Sequence, residues 1–271
     1  MADVIWTNGN SDGDWANTAN WLGGAIPTAG DNVYFTSEYT GDVTTNLDRT
    51  ADGTLGNLII EEGYTGKIGT KAGYLQLICS GVTFDGSGLC FIDVNTSAID
   101  ISVTGTARAS TGQQGLYLKG SAIDELNVTG GTVGVAARAG ETATVTTINV
   151  NGGTVNAGAG ATLTTLTGYG GNMNSKAGLT TINLIGGNAK VEGNITTANL
   201  EAGTLTYNGT GTITTCNAQG GTIDCFRTAL ARTITTLNLK PNGGIVYDPD
   251  VVTVSTLTSN GNPISISSSN A

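Results

Sequence analysis

The chain has 271 residues, of which only 12% are charged and 6% aromatic, and it contains 42 glycines and 4 prolines. Its net charge of −10 argues against nucleic-acid binding, which selects basic surfaces, and against attraction to anionic membranes. Histidine is absent, which removes Ser-His-Asp and Cys-His catalysis and the usual zinc sites.

Neither a secretory leader nor a membrane span is expected. The start, Met1-Ala2-Asp3-Val4, lacks a basic segment and a following apolar run. No run of about 20 apolar residues occurs anywhere in the chain. If the chain is complete, we expect synthesis in the cytoplasm and exit only by lysis or by a dedicated route.

Residues 1–50 are predicted to form a cap or anchor segment. They contain all three tryptophans, Trp6, Trp15 and Trp21. A solenoid ends in an open core and unpaired strand edges, which an aromatic cap would cover. Tryptophan is also enriched in interfaces, so a docking patch or a sugar-binding platform is the alternative, and both roles can coexist. Trp6, Trp15 and Trp21 are therefore the candidate partner-binding residues.

Residues 51–271 are predicted to form a β-helix, beginning with less regular coils. Apolar β-prone runs mark their strands at Leu58–Ile60, Tyr74–Ile78, Val82–Phe84, Leu89–Ile92, Ile99–Val103 and Gly115–Leu118. The intervening Thr106–Gln114 is expected to be a projecting loop.

Regular coils are predicted from about residue 122 to residue 260, because one short phrase recurs there. A representative copy is Val145-Thr146-Thr147-Ile148-Asn149-Val150, followed by Gly152-Gly153. The residue before the Asn recurs at positions 126, 148, 166, 182, 198, 216 and 237, a spacing of 16 to 22 residues. Such a unit can circle a narrow core as short strands but has no room for a helix. Thr-Thr is expected to form a corner or bulge, and Gly-Gly a second corner.

Five rows of inward side chains follow from this alignment, with the Asn pointing outward. The rows contain the residue before Thr-Thr, both neighbours of the Asn, the second residue after Gly-Gly, and the residue two further on. The outward row comprises Asn127, Asn149, Asn183, Asn199, Asn217 and Asn238. Because stacked amides can bond along a fibre axis, we interpret this row as structural rather than as a binding strip.

The predicted fold is thus all-β, a parallel β-helix with an aromatic N-terminal cap. A right-handed coil is expected by extension of the handedness of parallel crossovers. A leucine-rich repeat is the competing solenoid, but that family has Asn where this chain has the second Gly, and its units are longer. The polar tail Asn262–Ala271 is expected to cover the last edge or to pair with a neighbouring chain.

No catalytic, cofactor or metal residues are predicted. Cys216 and Cys225 fall on inward rows, and the four cysteines are interpreted as buried free thiols, with Cys79–Cys90 and Cys216–Cys225 disulfides as alternatives in an oxidising compartment. The acids are scattered rather than paired as in a glycosidase. Asp12-Gly13-Asp14 resembles part of a calcium loop, but is interpreted as turn chemistry.

The opening Trp15-x4-Asn20-Trp21-x-Gly23-Gly24-x-x-Pro27, with Asp31-x-Val33, resembles the start of two groups of proteins. One comprises the β-helical passenger regions of bacterial autotransporters and adhesins, and the other comprises solenoid structural proteins of phages. The resemblance covers about the first 35 residues and implies no catalytic residues.

This resemblance, with the chain's size and start, predicts a non-enzymatic head decoration or cement protein of a phage. Its expected partner is the major capsid protein, and its expected location is the capsid surface after synthesis in the bacterial cytoplasm. Self-association, with a trimer favoured, is also expected. A glycan-binding surface adhesin and a tailspike-like polysaccharide-degrading enzyme are the two alternatives.

Overall fold

The computed structural model describes residues 2–94, 99–105, 115–226 and 230–260, together with the backbone of Ser265–Ile266. It is an all-β parallel solenoid of about ten turns, which confirms the predicted fold class. Within the described ranges, helical geometry is limited to two 3-10 turns, Thr18–Asn20 and Thr50–Asp52. No helix in the described part is long and apolar enough to cross a membrane.

The strands form two parallel ladders that run along the solenoid. The first ladder joins β1 (Asp3–Ile5), β2 (Asn32–Phe35), β3 (Thr54–Ile60), the second half of β4 (Leu75–Phe84), β6 (Ile99–Val103), the second half of β7 (Leu116–Val128), β9 (Ala143–Val150), β11 (Ala161–Gly168), β13 (Leu179–Leu184), β15 (Ile195–Leu200), β17 (Thr212–Ala218), β19 (Arg232–Leu239) and β21 (Val252–Ser259). The second ladder joins the first halves of β4 and β7 with β5 (Cys90–Val94), β8 (Thr132–Val135), β10 (Thr154–Ala157), β12 (Asn172–Ser175), β14 (Asn188–Val191), β16 (Thr204–Tyr207), β18 (Thr222–Asp224), β20 (Gly244–Tyr247) and β22 (Ser265–Ile266).

The recurring phrase stacks in register from coil to coil, as the alignment predicts. Leu163 pairs with Leu179, which pairs in turn with Ile195. All five predicted inward rows are buried in one continuous core. At Thr-Thr the ladder skips the first threonine, so two inward residues three positions apart both reach the core, and the chain bends between them.

The Gly-Gly corner has the predicted positive φ. The second glycine of the pair has a φ between +68° and +73° in four successive coils, at Gly131, Gly153, Gly171 and Gly187. In the next coil Gly203, which follows Ala202, has a φ of +79° at the same place. Each corner lies directly on the one before it, because a Cβ on Gly171 would come within 2.6 Å of the carbonyl oxygen of Gly153. Only glycine satisfies both the dihedral angle and this close stacking.

The outward asparagines form hydrogen-bonded ladders, which supports their structural interpretation. Asn149 Nδ2 donates to Asn127 Oδ1 at 3.0 Å, and Asn199, Asn217 and Asn238 each donate to the preceding asparagine of the row at 2.9 Å. The row is interrupted at Thr167, which pairs with Asn149 on one side and with Asn183 on the other.

Thr167→Asn is therefore expected to stabilise the fold. The new amide would join the two halves of the row, and each intramolecular hydrogen bond contributes about 1 kcal/mol. We expect urea denaturation to show a free energy of unfolding higher by about 1 kcal/mol. Thr165→Asn is the matched control, because Thr165 pairs with Thr147 and Thr181 rather than with asparagines. Equal or lower stability than this control would contradict the amide-ladder interpretation.

The N-terminal segment belongs to the same solenoid. β1 pairs with β2, and β2 pairs with β3, so residues 1–50 contribute strands as well as the aromatic cluster. The handedness of the coil stays a prediction. The expected loop Thr106–Gln114 lies outside the described residues, as does the tail Asn262–Ala271 except for the backbone of β22, which pairs with β20.

Candidate functional site

The three tryptophans form one aromatic cluster at the N-terminal end of the core. Trp21 packs edge-on against Trp6, with ring centroids 5.0 Å apart, and against Trp15, with centroids 4.7 Å apart. Phe35 lies 6.2 Å from both of those rings and 5.3 Å from Tyr64, which joins the cluster to the first coils. Such edge-to-face pairs add about 0.5–1.5 kcal/mol each beyond the burial of their surface.

Two indole N–H groups fix the cluster to the backbone. Trp6 Nε1 donates to the carbonyl oxygen of Gly41 at 3.0 Å, and Trp21 Nε1 donates to that of Trp15 at 2.7 Å. All three rings are buried, with exposed fractions of 0%, 0% and 2%. A ring without exposed surface cannot touch a partner in this conformation, so the burial supports the cap interpretation. A partner-binding role for Trp6, Trp15 and Trp21 stays a prediction, and it requires the loop surface around the rings.

The loop of residues 10–20, which surrounds Trp15, is held by the carboxylate of Asp12. It accepts hydrogen bonds from the side-chain amides of Asn20 (2.5 Å), Asn17 (2.7 Å) and Asn10 (2.9 Å) and from the backbone N–H of Asp14 (3.0 Å). These donors, with Asn20 first, hold the pKa of Asp12 well below its usual range. The carboxylate thus organises a turn, in agreement with the interpretation of Asp12-Gly13-Asp14 as turn chemistry.

The outer surface of the cap carries one exposed apolar side chain next to the buried cluster. Leu22 follows Trp21 directly and is 55% exposed. Its backbone N–H donates to the carbonyl oxygen of Ile5 at 2.9 Å, so its position is fixed by β1. A substitution at Leu22 therefore tests the role of the cap surface without removing a core side chain.

The four cysteines are free and buried, as the first interpretation of the sequence has it. Burial raises the pKa of Cys79 and of Cys225 to about 12, and it also raises the pKa of Cys90 and of Cys216. All four are therefore protonated thiols at neutral pH, whereas nucleophilic chemistry requires the thiolate. In the unfolded chain the same thiols would ionise near pH 9. The free energy of unfolding is therefore expected to fall as the pH rises above 9.

Among the described residues, no three side chains of Cys, Asp or Glu form a group that could hold a metal ion. The adjacent acids Asp124 and Glu125 lie on the outward side of β7, where Asn149 Nδ2 donates to Glu125 Oε1 at 2.5 Å. Glu125 is therefore hydrogen-bonded to the amide row.

The sequence did not indicate a cleft on the side wall of the early coils. It has a volume of about 560 Å³ and is lined by Leu89, Phe91, Tyr117, Lys67, Lys71 and Arg138, among others. Phe91 and Tyr117 pair in register on the outward face of β5 and β7 and stack 4.8 Å apart at an angle of 13°. Tyr74 packs edge-on against Phe91 from the preceding coil, at 5.3 Å.

Two loops border this cleft and are bonded to each other. Arg138 Nη1 donates to the carbonyl oxygen of Lys71 at 2.7 Å, and it lies 3.5 Å from Glu141. The Tyr74 hydroxyl donates in turn to the Glu141 carboxylate. On the far side of Tyr74, Lys119 lies 4.7 Å above the ring and pairs with Asp93 at 3.1 Å. Tyr74, at the start of the aromatic row, is therefore held by charged groups at its hydroxyl and on its ring face.

Comparisons with known proteins add no family to this description: no family model matches the chain, and neither the curated proteins nor the solved structures contain a match.

Proposed function

We propose that this chain is a non-catalytic structural protein of a bacteriophage virion, which decorates the head by binding the major capsid protein. The proposal rests on one observation, the role of the repeated residues in stacking. The inward rows, the asparagine ladder and the glycine corner all bond one coil to the next. When the recurring positions of a repeat all serve to stack one coil on the next, the result is a rigid rod. An external reinforcing protein requires such rigidity.

The opening Trp15–Val33 segment resembles both phage solenoid proteins and autotransporter passengers, and the first of these resemblances supports the proposed virion role. We further propose that the chain self-associates, with a trimer favoured, and that it reaches the capsid surface after synthesis in the host cytoplasm.

The cap surface is the proposed contact with the capsid. The buried tryptophans fix the shape of the loop, and Leu22 is its exposed apolar side chain. Apolar side chains that become fully desolvated at the centre of an interface contribute most of its binding energy. The opposite end offers a matched residue, because Leu257 in the last strand of the first ladder is 43% exposed.

Co-sedimentation with undecorated phage heads tests the proposal. We expect saturable binding at a stoichiometry set by capsid symmetry, and a trimer in analytical ultracentrifugation of the free protein. Leu22→Asp is expected to weaken binding by about 2 kcal/mol, or about thirty-fold, whereas Leu257→Asp should leave it unchanged. Leu22 lies outside the core, so Leu22→Asp should keep the melting temperature of the parent. Leu257 pairs in register with the buried Leu237, so its variant is compared at a temperature well below its own melting temperature. A protein that stays monomeric and does not pellet with heads would overturn the proposal.

A further inference from the structure

We propose that the side-wall cleft between residues 67–74 and 136–142 binds an acidic sugar of a polysaccharide chain. In this arrangement the sugar ring lies against Tyr117 and its carboxylate lies beside Lys67 and Lys71. The inference is independent of the capsid-binding proposal, because it concerns a different surface and uses none of the same residues.

The charge of this cleft is opposite in sign to that of the chain as a whole. The chain has 11 Lys and Arg against 21 Asp and Glu, yet Lys67, Lys71 and Arg138 line this one cleft with Asp42 as its one acid. In an acidic protein, positive potential confined to a concave site selects an anion that enters it.

Two of these three cations are available to a ligand. Arg138 is engaged by the Lys71 carbonyl oxygen and by Glu141, and Asp42 Oδ1 accepts the backbone N–H of Lys67 at 2.8 Å. The ammonium groups of Lys67 and Lys71, in contrast, form no hydrogen bond or ion pair with any described residue. Both side chains are exposed at the rim of the cleft. A carboxylate between them would gain charge-assisted hydrogen bonds without breaking an existing pair.

The aromatic side chains of the cleft indicate that the ligand carries a ring as well as a negative charge. Tyr117 is half-buried and stacks on Phe91, which is itself clamped by Tyr74. A flat ring held in place loses little conformational entropy on binding. It matches a pyranose ring, one face of which presents mainly C–H groups and is apolar. A small inorganic anion would use the lysines but would leave this wall unused.

The surface next to the cleft favours a chain of sugars over a single sugar. The outward row that contains Phe91 and Tyr117 continues in register through Gly134, Asn156, Asn174 and Lys190. Further clefts adjoin along this face, and they share Arg138 and then Lys176 as lining residues. Amide and ammonium groups therefore recur along the axis at the strand spacing of about 4.8 Å, which suits a ligand that also repeats.

Isothermal titration calorimetry on the full chain tests this site, with oligogalacturonate and oligosialic acid as probes. The methyl-esterified oligogalacturonate is the matched ligand control, because it keeps the sugar rings and removes the charges. We expect the acid to bind at least about ten-fold more tightly than the ester, with an affinity that falls as salt is added.

Variants then locate the binding. Lys67→Gln combined with Lys71→Gln is expected to remove the preference for acid over ester, and Tyr117→Leu should weaken both ligands while keeping an apolar residue in the row. Lys240→Gln, which removes one positive charge from a residue that does not line the cleft, should change neither. Absence of binding by both acidic probes would overturn the proposal, as would wild-type affinity in the Lys67 and Lys71 double variant. Tighter binding of inorganic polyphosphate, with the same dependence on Lys67 and Lys71, would also overturn it by assigning the cleft to phosphate polymers.

Discussion

Trp21→Ala is expected to lower the free energy of unfolding by about 3–5 kcal/mol, the range for removal of a large buried aromatic side chain. Trp21 lies between the other two indoles, 5.0 Å from Trp6 and 4.7 Å from Trp15, and its own exposed fraction is 2%. The substitution therefore removes two edge-to-face contacts and the hydrogen bond to the Trp15 carbonyl oxygen at once. The cavity would open within the aromatic cluster, among Trp6, Trp15 and Phe35.

Urea denaturation followed by tryptophan fluorescence measures this loss, since Trp6 and Trp15 remain as reporters in the same cluster. Leu22→Ala is the matched control, because the next residue along the chain is 55% exposed and its truncation should change stability by no more than about 0.5 kcal/mol. A loss below about 1 kcal/mol for Trp21→Ala would contradict the view that the cluster closes the core. It would then favour a cap that is dispensable for folding and available for other roles.

The fold was predictable because its determinants repeat. A single inward row is weak evidence, but Ile148, Leu166 and Ile182 fall in the same place relative to Thr-Thr and Gly-Gly, and each later proved buried and paired with the next. Repetition also predicted the amide row, since a polar side chain that recurs at one place in each turn is brought next to its own copies. The parallel register then follows from the alignment alone.

The cap was predictable only in part. Three tryptophans near one terminus indicate an aromatic cluster, but their spacing does not reveal whether the rings face the core or a partner. The deciding contacts are long-range in sequence. Trp6 Nε1 reaches Gly41, and Phe35 and Tyr64 complete the cluster from later strands. No local pattern contains this information.

The side-wall cleft could not be predicted from the sequence for a related reason. Tyr74, Phe91 and Tyr117 lie in the less regular coils, at spacings of 17 and 26 residues, so no periodic alignment places them in one row. Lys71 and Arg138 are 67 residues apart and meet only because two loops leave the ladder on the same side. A useful signal was nevertheless present, since outward aromatic residues in strands of an otherwise Thr- and Asn-rich chain require a reason.

Gly203→Ala is expected to destabilise the fold by about 3 kcal/mol, well beyond the about 1–2 kcal/mol that a left-handed conformation costs a non-glycine residue. The φ of Gly203 is +79°, and a Cβ at this position would come within 2.3 Å of the carbonyl oxygen of Gly187 in the coil below. That backbone oxygen accepts a hydrogen bond from the N–H of Thr204 at 3.1 Å, so the contact can be relieved only by separating the coils.

Gly140→Ala separates the two causes. Gly140 has nearly the same φ, +81°, but a Cβ there meets nothing within 4 Å, so its substitution should cost only the dihedral strain of about 1–2 kcal/mol. The two variants are compared by urea denaturation at the same pH and salt concentration. A larger loss for Gly203→Ala would show that stacking of the corners, rather than the backbone angle, makes glycine necessary in each coil. Equal losses would mean that the coils can shift apart at little cost, and the rigidity on which the proposed structural role depends would then have to come from the core rows alone.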